Sequence, residues 1–213
     1  MIIDKFNPAH IDKVVEMATL KWGRPDQRPE FNRAFCGNIV RHHFFCEELC
    51  YQAEDEDGLQ GICWAAPYGT GCESGEWLEN TLPSLDGKEK ETVLKDVAYL
   101  RHADNILKPM MSTSDIRLTL IISLKKGYGS SMLSHLMDDL SGKGYGYLFL
   151  WTDSTCDYSF YPRHGFEMVH QEKDTLFYGS EGRENRIMIF RRKIFLSGKT
   201  PFQNEVGSSP PTS

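Results

Sequence analysis

The 213-residue chain has no CxxC pair, no apolar run long enough to span a bilayer and no long basic run. Each absence narrows the field. Without CxxC spacing a zinc ribbon has no ligand set. A membrane-spanning helix needs about 20 consecutive apolar residues. The opening Met1-Ile2-Ile3-Asp4-Lys5 turns polar too soon for a signal peptide. The net charge is −6, and basic residues cluster only at Lys125-Lys126 and Arg191-Arg192-Lys193. Binding that rests on neutralising nucleic-acid phosphates is therefore not expected. The expectation is a cytoplasmic protein with reduced cysteines and neither membrane nor nucleic-acid partners. His42, His43, Cys46 and Cys50 do fall at helix-like spacing. A helix end packing into the core accounts for that spacing better than a metal site, and no metal is expected.

What is present fits an ordinary globular protein: 40% of residues are hydrophobic and 25% charged, which argues against global disorder. The length suits one domain, over residues 1–196. Residues 197–213 are rich in Ser, Pro and Gly and read as a flexible tail.

Asn7-Pro8 is a helix start, followed at helical period by Ile11, Val14, Val15, Ala18 and Leu20, close to one face. A second helix is expected from Pro29 to Phe44. Strands at Leu49 to Glu54 and Leu59 to Ala66 flank the acidic turn Asp55-Glu56-Asp57-Gly58, a hairpin signal. Within an irregular insertion at about 70–114, Lys88 to Leu107 reads as a helix stopped by Pro109. Then come a strand (Ile116 to Leu124), a glycine turn, a helix (Ser130 to Leu140) and a strand (Tyr147 to Trp151). A short helix around Tyr158 to Arg163 and strands at Phe166 to Gln171 and Arg186 to Lys193 complete the order. Strand-helix-strand crossovers make parallel neighbours and hairpins make antiparallel ones. The expected fold is α/β: one mixed sheet with helices on both faces.

The turn Lys125-Lys126-Gly127-Tyr128-Gly129-Ser130-Ser131 joins a strand to a helix. Its glycines permit positive φ and close backbone approach. The helix start adds unpaired N–H groups and the positive end of the dipole, an anion site suited to a pyrophosphate. A plain strand-helix connection has the same appearance. It is not a P-loop, because Gly-Lys-Ser/Thr is missing. A dinucleotide fingerprint would need Gly or Ala where Met132 stands.

From Leu118 to Phe166 the sequence resembles the GNAT superfamily of acetyl-CoA-dependent N-acetyltransferases. Those enzymes carry Gln/Arg-x-x-Gly-x-Gly/Ala between strand and helix, then a short helix with Tyr four residues before Gly-Phe. Here these are Leu124-Lys125-Lys126-Gly127-Tyr128-Gly129 and Phe160-Tyr161-Pro162-Arg163-His164-Gly165-Phe166. The first half of the chain matches only in the order of its elements. Leu124 stands in place of Gln or Arg, and Asp157 where related sequences often have Asn.

The resemblance implies a mainly antiparallel sheet whose central parallel strands splay apart around the thioester of acetyl-CoA. Ile121, Ile122, Ser123 and Leu124 would hold the pantetheine arm. Lys125, Lys126, Gly127, Tyr128, Gly129, Ser130 and Ser131 would surround the pyrophosphate. Tyr161 would donate a proton to the departing thiolate. The amine of a small molecule or peptide would attack directly, with an oxyanion donor at the amide of Ile122 or Ser123. The base is unassigned; Asp153, Glu76 and Asp115 are candidates. Cys156 raises a covalent route, with His164 as its partner. Trp22, Arg24, Asp26, Arg28, Trp64, Trp77 and Glu79 are candidates for the acceptor site, and the insertion serves equally as a homodimer contact. Rival readings are a non-catalytic acyl-CoA-binding module on the same fold, a nicotinamide-dependent dehydrogenase, and an interaction protein.

Overall fold

The computed structural model describes residues 1–45, 48–71, 74–176 and 184–195. Strand β1 (Ile2–Lys5) leads into helices α1 (Ile11–Trp22) and α2 (Pro29–His42). The hairpin is β2 (Cys50–Asp55) and β3 (Gly58–Pro67), and the insertion holds α3 (Ser74–Thr81) and α4 (Gly87–Leu107). Then follow β4 (Ile116–Ser123), α5 (Tyr128–Ser141), β5 (Tyr147–Asp153), α6 (Phe160–Arg163), β6 (Glu167–Lys173) and β7 (Arg186–Lys193).

The strands form one seven-stranded sheet in the order β1-β2-β3-β4-β5-β7-β6. Among the described residues only β4 and β5 are parallel neighbours; the other pairs are antiparallel. Apolar side chains at helical period bury helices against both faces. On one face Val14, Phe35, Val93 and Leu100 of α1, α2 and α4 pack with Trp64 of β3. On the other, Met132, Leu133, Leu136 and Leu140 of α5 pack with Leu148 of β5.

Most expected elements are found within a few residues of their expected ends, but Leu20, expected on the inward face of α1, is exposed and Met17 is buried in its stead. Two elements were not anticipated. Strand β1 is largely exposed and shows no alternating burial; its ladder with β2, from Ile2↔Glu54 to Lys5↔Tyr51, makes it a strand. Helix α3 buries only Leu78 and lies in a Gly- and Glu-rich stretch with a weak apolar period. Helix α4 is started by a capping box: the Asp86 carboxylate accepts from the Glu89 amide at 2.9 Å, and the Glu89 carboxylate accepts from the Asp86 amide at 3.0 Å. The segment 197–213 and Cys46 lie outside the described residues. No helix among the described residues is long and apolar enough to cross a membrane.

The fold makes an opening where β4 and β5 diverge. They are in register only at Ile116↔Leu148 and Arg117↔Phe149, although β4 runs on to Ser123 and β5 to Asp153. On its other edge β4 stays paired with β3, with one interruption. Trp64 faces Leu120 and Ala65 faces Leu118, so Thr119 is an extra residue on β4. Such a bulge bends its strand, and this one lies beside the divergence.

Candidate active site

A cavity of about 780 Å³ occupies the gap between β4 and β5, within the size range of small-molecule sites. It reaches both faces of the sheet. On the α5 and α6 side its wall includes Gly129, Ser130, Phe160, Tyr161 and His164. On the other it includes Trp22 of α1, Ile39 of α2, His43, and Tyr99 and Leu100 of α4. Residues 118–127 supply the central wall with Leu150, Trp151, Thr152 and Asp153 of β5. Of the residues expected to hold the cofactor, Tyr128 and Ser131 alone do not line the cavity.

Backbone orientation follows from the β3–β4 ladder, in which facing residues alternate between hydrogen-bonded and non-bonded pairs. The Leu124 amide donates to the Gln60 carbonyl at 2.8 Å. Leu124 and Ile122 are thereby turned toward β3, whereas Ile121 and Ser123 present their amide and carbonyl to the gap. Of the two amides considered as oxyanion donors, Ser123 faces the cavity and Ile122 does not.

The turn after β4 has the geometry its glycines suggest. Gly127 caps α5 with φ of +88°, a left-handed conformation that L side chains avoid. A Cβ at Gly129 would lie 3.7 Å from the Phe160 ring and from Ser123. The Tyr128 amide donates to the Lys125 carbonyl at 3.3 Å and the Ser131 amide to the Gly127 carbonyl at 3.0 Å. The amides of Gly129 and Ser130, in the first turn of α5, have no backbone acceptor among the described residues.

The two lysines of the turn differ. Lys125 Nζ donates to Asp55 at 2.6 Å and to Asp57 at 2.7 Å, both on the β2–β3 turn. The Tyr128 hydroxyl donates to the same Asp55 oxygen at 2.6 Å. Lys125, then Tyr128, hold the Asp55 carboxyl at about 2. Lys125 is thus already ion-paired, and Lys126 is exposed at the rim.

His164 extends this end of the site in a way spacing did not reveal. Its Nδ1 is 2.7 Å from the Phe160 carbonyl. A carbonyl only accepts, so Nδ1 carries a proton. Nε2 then meets Ser130 Oγ at 2.8 Å, and the ring stacks on Phe160 with centroids 4.1 Å apart.

Tyr161 lies on the wall beside the β4–β5 gap, held by Phe166 and Phe190 at centroid distances of 5.7 and 5.6 Å. The sharp turn behind it needs Gly165, at φ of +76°. Burial raises the phenol well above its usual pKa, so it keeps its proton at any physiological pH. Cys156 also lines the cavity, but burial pushes its thiol up to about 12. With both nitrogens of His164 engaged elsewhere, nothing here makes Cys156 a thiolate, and the covalent route loses its nucleophile. Asp157 is bonded by Ser159 and paired with Arg163 at 3.1 Å, which offsets its charge at the cavity mouth.

The candidates for base and acceptor site scatter. Asp153 lines the cavity, yet it already accepts from the Tyr99 hydroxyl at 2.6 Å and from the Thr155 amide and hydroxyl at 2.9 and 2.5 Å. Asp115 is used by Ser112 and by the Tyr147 amide, away from the cavity, and Glu76 is exposed on α3. Among the acceptor candidates only Trp22 reaches the cavity. Trp64 is fully buried in the core, Arg28 pairs with Glu89 at 2.5 Å, and Trp77 lies under the Arg41 guanidinium at 4.4 Å. His42 bonds Asp104 at 3.0 Å and Cys50 begins β2, and among the described residues no group of His, Cys, Asp and Glu is arranged to hold a metal ion.

No family model and no curated protein matches the sequence. Solved structures do match in shape. The ribosomal-protein-S18-alanine N-acetyltransferase of Escherichia coli is 13% identical with a TM-score of 0.53, over 95% of this chain and 99% of that one. Aminoglycoside 6'-acetyltransferase type Ii is 16% identical with a TM-score of 0.54, over 92% and 98%. A GNAT-like decarboxylase, GphF, solved with isobutyryl-CoA, is 12% identical with a TM-score of 0.55, over 91% and 100%. The chain has the fold of the GNAT acetyltransferases, a mixed sheet with a parallel pair at its centre, as the resemblance implied. That fold carries at least one decarboxylase as well, so the reaction has to be argued from the site.

Proposed function

We propose that the protein is a cytoplasmic N-acetyltransferase that moves the acetyl group of acetyl-CoA to the amine of a small molecule or peptide. The observation that carries the reading is the cavity itself. One gap joins a turn suited to a pyrophosphate, two strand residues whose backbone groups face it, and a half-buried tyrosine, and it continues to the opposite face of the sheet.

In this reading the cofactor's phosphates lie against the Gly129 and Ser130 amides, with Lys126 supplying charge at the rim. Ile121 and Ser123 bond the pantetheine arm as a neighbouring strand would. The thioester then lies between β4 and β5, with the Ser123 amide available to the carbonyl oxygen as it gains charge. The amine enters from the side of α1, α2 and α4 and attacks directly. Tyr161 donates its hydroxyl hydrogen toward the sulfur as the C–S bond breaks.

The rival on the same fold, a protein that holds acyl-CoA without turning it over, draws on Leu124, which replaces a polar contact, and on the weak acidity of the Tyr161 phenol. Calorimetry with acetyl-CoA, CoA and NAD tests the cofactor half. Saturable binding of the two CoA species with NAD silent is expected; a folded sample that binds no CoA species ends the reading. CoA release on adding amines separates transferase from holder.

A further inference from the structure

His43 is the buried polar group that the reaction so far leaves unused. It caps the C-terminal end of α2 and is 6% exposed. It is one of the residues lining the cavity, and its ring is 5.5 Å from the ring of Trp151 on β5. Nδ1 is sealed from solvent without a hydrogen-bond partner, and Nε2 has none among the described residues. Buried polar side chains are nearly always satisfied, so one left open calls for an explanation.

Its surroundings leave its neighbours no room for the same task. His42 Nε2 meets Asp104 at 3.0 Å, and Asp104 also accepts from Arg117 and from the Trp151 indole at 2.7 Å. Burial first, then His42 and Arg117, hold the His43 pKa well below its ordinary value, against the opposing pull of Asp104. The ring is therefore neutral at pH 7, with a lone pair on one nitrogen.

Position then decides. Trp151 packs against the core of the α1, α2 and α4 face, whereas Tyr161 packs against the core of the α5 and α6 face. His43 and Tyr161 thus stand on opposite sides of one gap. We propose that His43 is the general base of the transfer, taking the proton from the attacking amine while Tyr161 serves the sulfur. This rests on the acetyl-transfer reading above.

The step balances. The amine lone pair attacks the thioester carbon, a C–N bond forms and the carbonyl electrons move to oxygen. His43 takes one proton from that nitrogen. The oxyanion collapses, the C–S bond breaks and the sulfur receives the proton of Tyr161. The proton held by His43 leaves through solvent, Tyr161 regains one, and the products are an amide and free CoA. Burial depresses the basicity of imidazole, and it equally acidifies an ammonium drawn into the same gap.

The test uses the full chain, acetyl-CoA, and phenethylamine, spermidine, glycine and a short lysine peptide as amines. With the best of these, His43→Ala and the bulk-conserving His43→Gln should each lower kcat by about 10²-fold or more. Acetyl-CoA affinity should stay within about twofold, because the cofactor contacts are on the other side. Added imidazole should restore part of the His43→Ala rate, which a purely structural role would not allow. A folded variant with unchanged kcat overturns the assignment, as does a loss that imidazole does not relieve and that acetyl-CoA affinity shares. If the wild type releases CoA with an amine, the transfer reading stands whatever the variants do. If it releases none, both fall.

Discussion

Tyr161 and Asp96 show how burial changes what a single group does. The phenol of Tyr161, raised by burial, is a durable hydrogen-bond donor and a weak acid. Tyr161→Phe should leave acetyl-CoA affinity unchanged and lower the rate of CoA release by about 10²-fold; an unchanged rate would remove it as the donor to sulfur. Asp96 lies inside the α2–α4 contact, where the Asn38 amide donates to it at 2.9 Å. Burial pushes its carboxyl up to about 7, against about 3.9 for an unfolded aspartate. The native state therefore holds a proton that the unfolded chain loses. This group's share of stability is fully present below about pH 4 and is lost as pH rises toward 7, by at most about 1.4 kcal/mol per unit. Asp96→Asn should flatten that slope, so its Tm advantage over the wild type grows between pH 4 and pH 8. An advantage constant with pH would mean that Asp96 is not the titrating group.

At the scale of elements, the turn before α5 combines a conformational demand with an electrostatic one. Gly127 has free space around it, since a Cβ there meets nothing within 4 Å. What excludes other residues is its φ of +88°. Gly127→Ala should cost about 1–2 kcal/mol in backbone strain and, by tilting the first turn of α5, weaken acetyl-CoA about tenfold. Gly144, beyond the far end of α5, has a comparable φ of +77° and equally open space. Gly144→Ala should cost similar stability and leave affinity alone. Equal weakening of affinity by both changes would point to general destabilisation and not to a cofactor turn.

Across the whole molecule the sheet divides the work. Helices α5 and α6 bring the glycine turn and Tyr161 to one face, and α1, α2 and α4 bring Trp22, His43 and Tyr99 to the other. The two groups meet only because β5 leaves β4 after two paired positions and Thr119 is extra on β4. If the proposed reading holds, this division would place cofactor and acceptor on opposite faces and permit direct transfer without a covalent intermediate on the protein.

The sequence by itself determined the order of the elements other than β1 and α3, because helical period, strand alternation and turn residues act within a few positions. Val14, Val15 and Ala18 mark α1, and Gly127 and Gly129 mark a turn, wherever the rest of the chain lies. The pair formed by that turn and Tyr161 was legible for the same reason. Tertiary structure alone decided what depends on distant partners. Asp55 and Asp57, some 70 positions away in sequence, take up the charge of Lys125. The β2 ladder makes a strand of the exposed Ile2–Lys5. The β3 ladder, through the Leu124 amide, turns Ser123 toward the gap and Ile122 away from it. His43 read from sequence as a core residue at a helix end. It became a candidate base only once packing had sealed it beside an opening that no local pattern encodes.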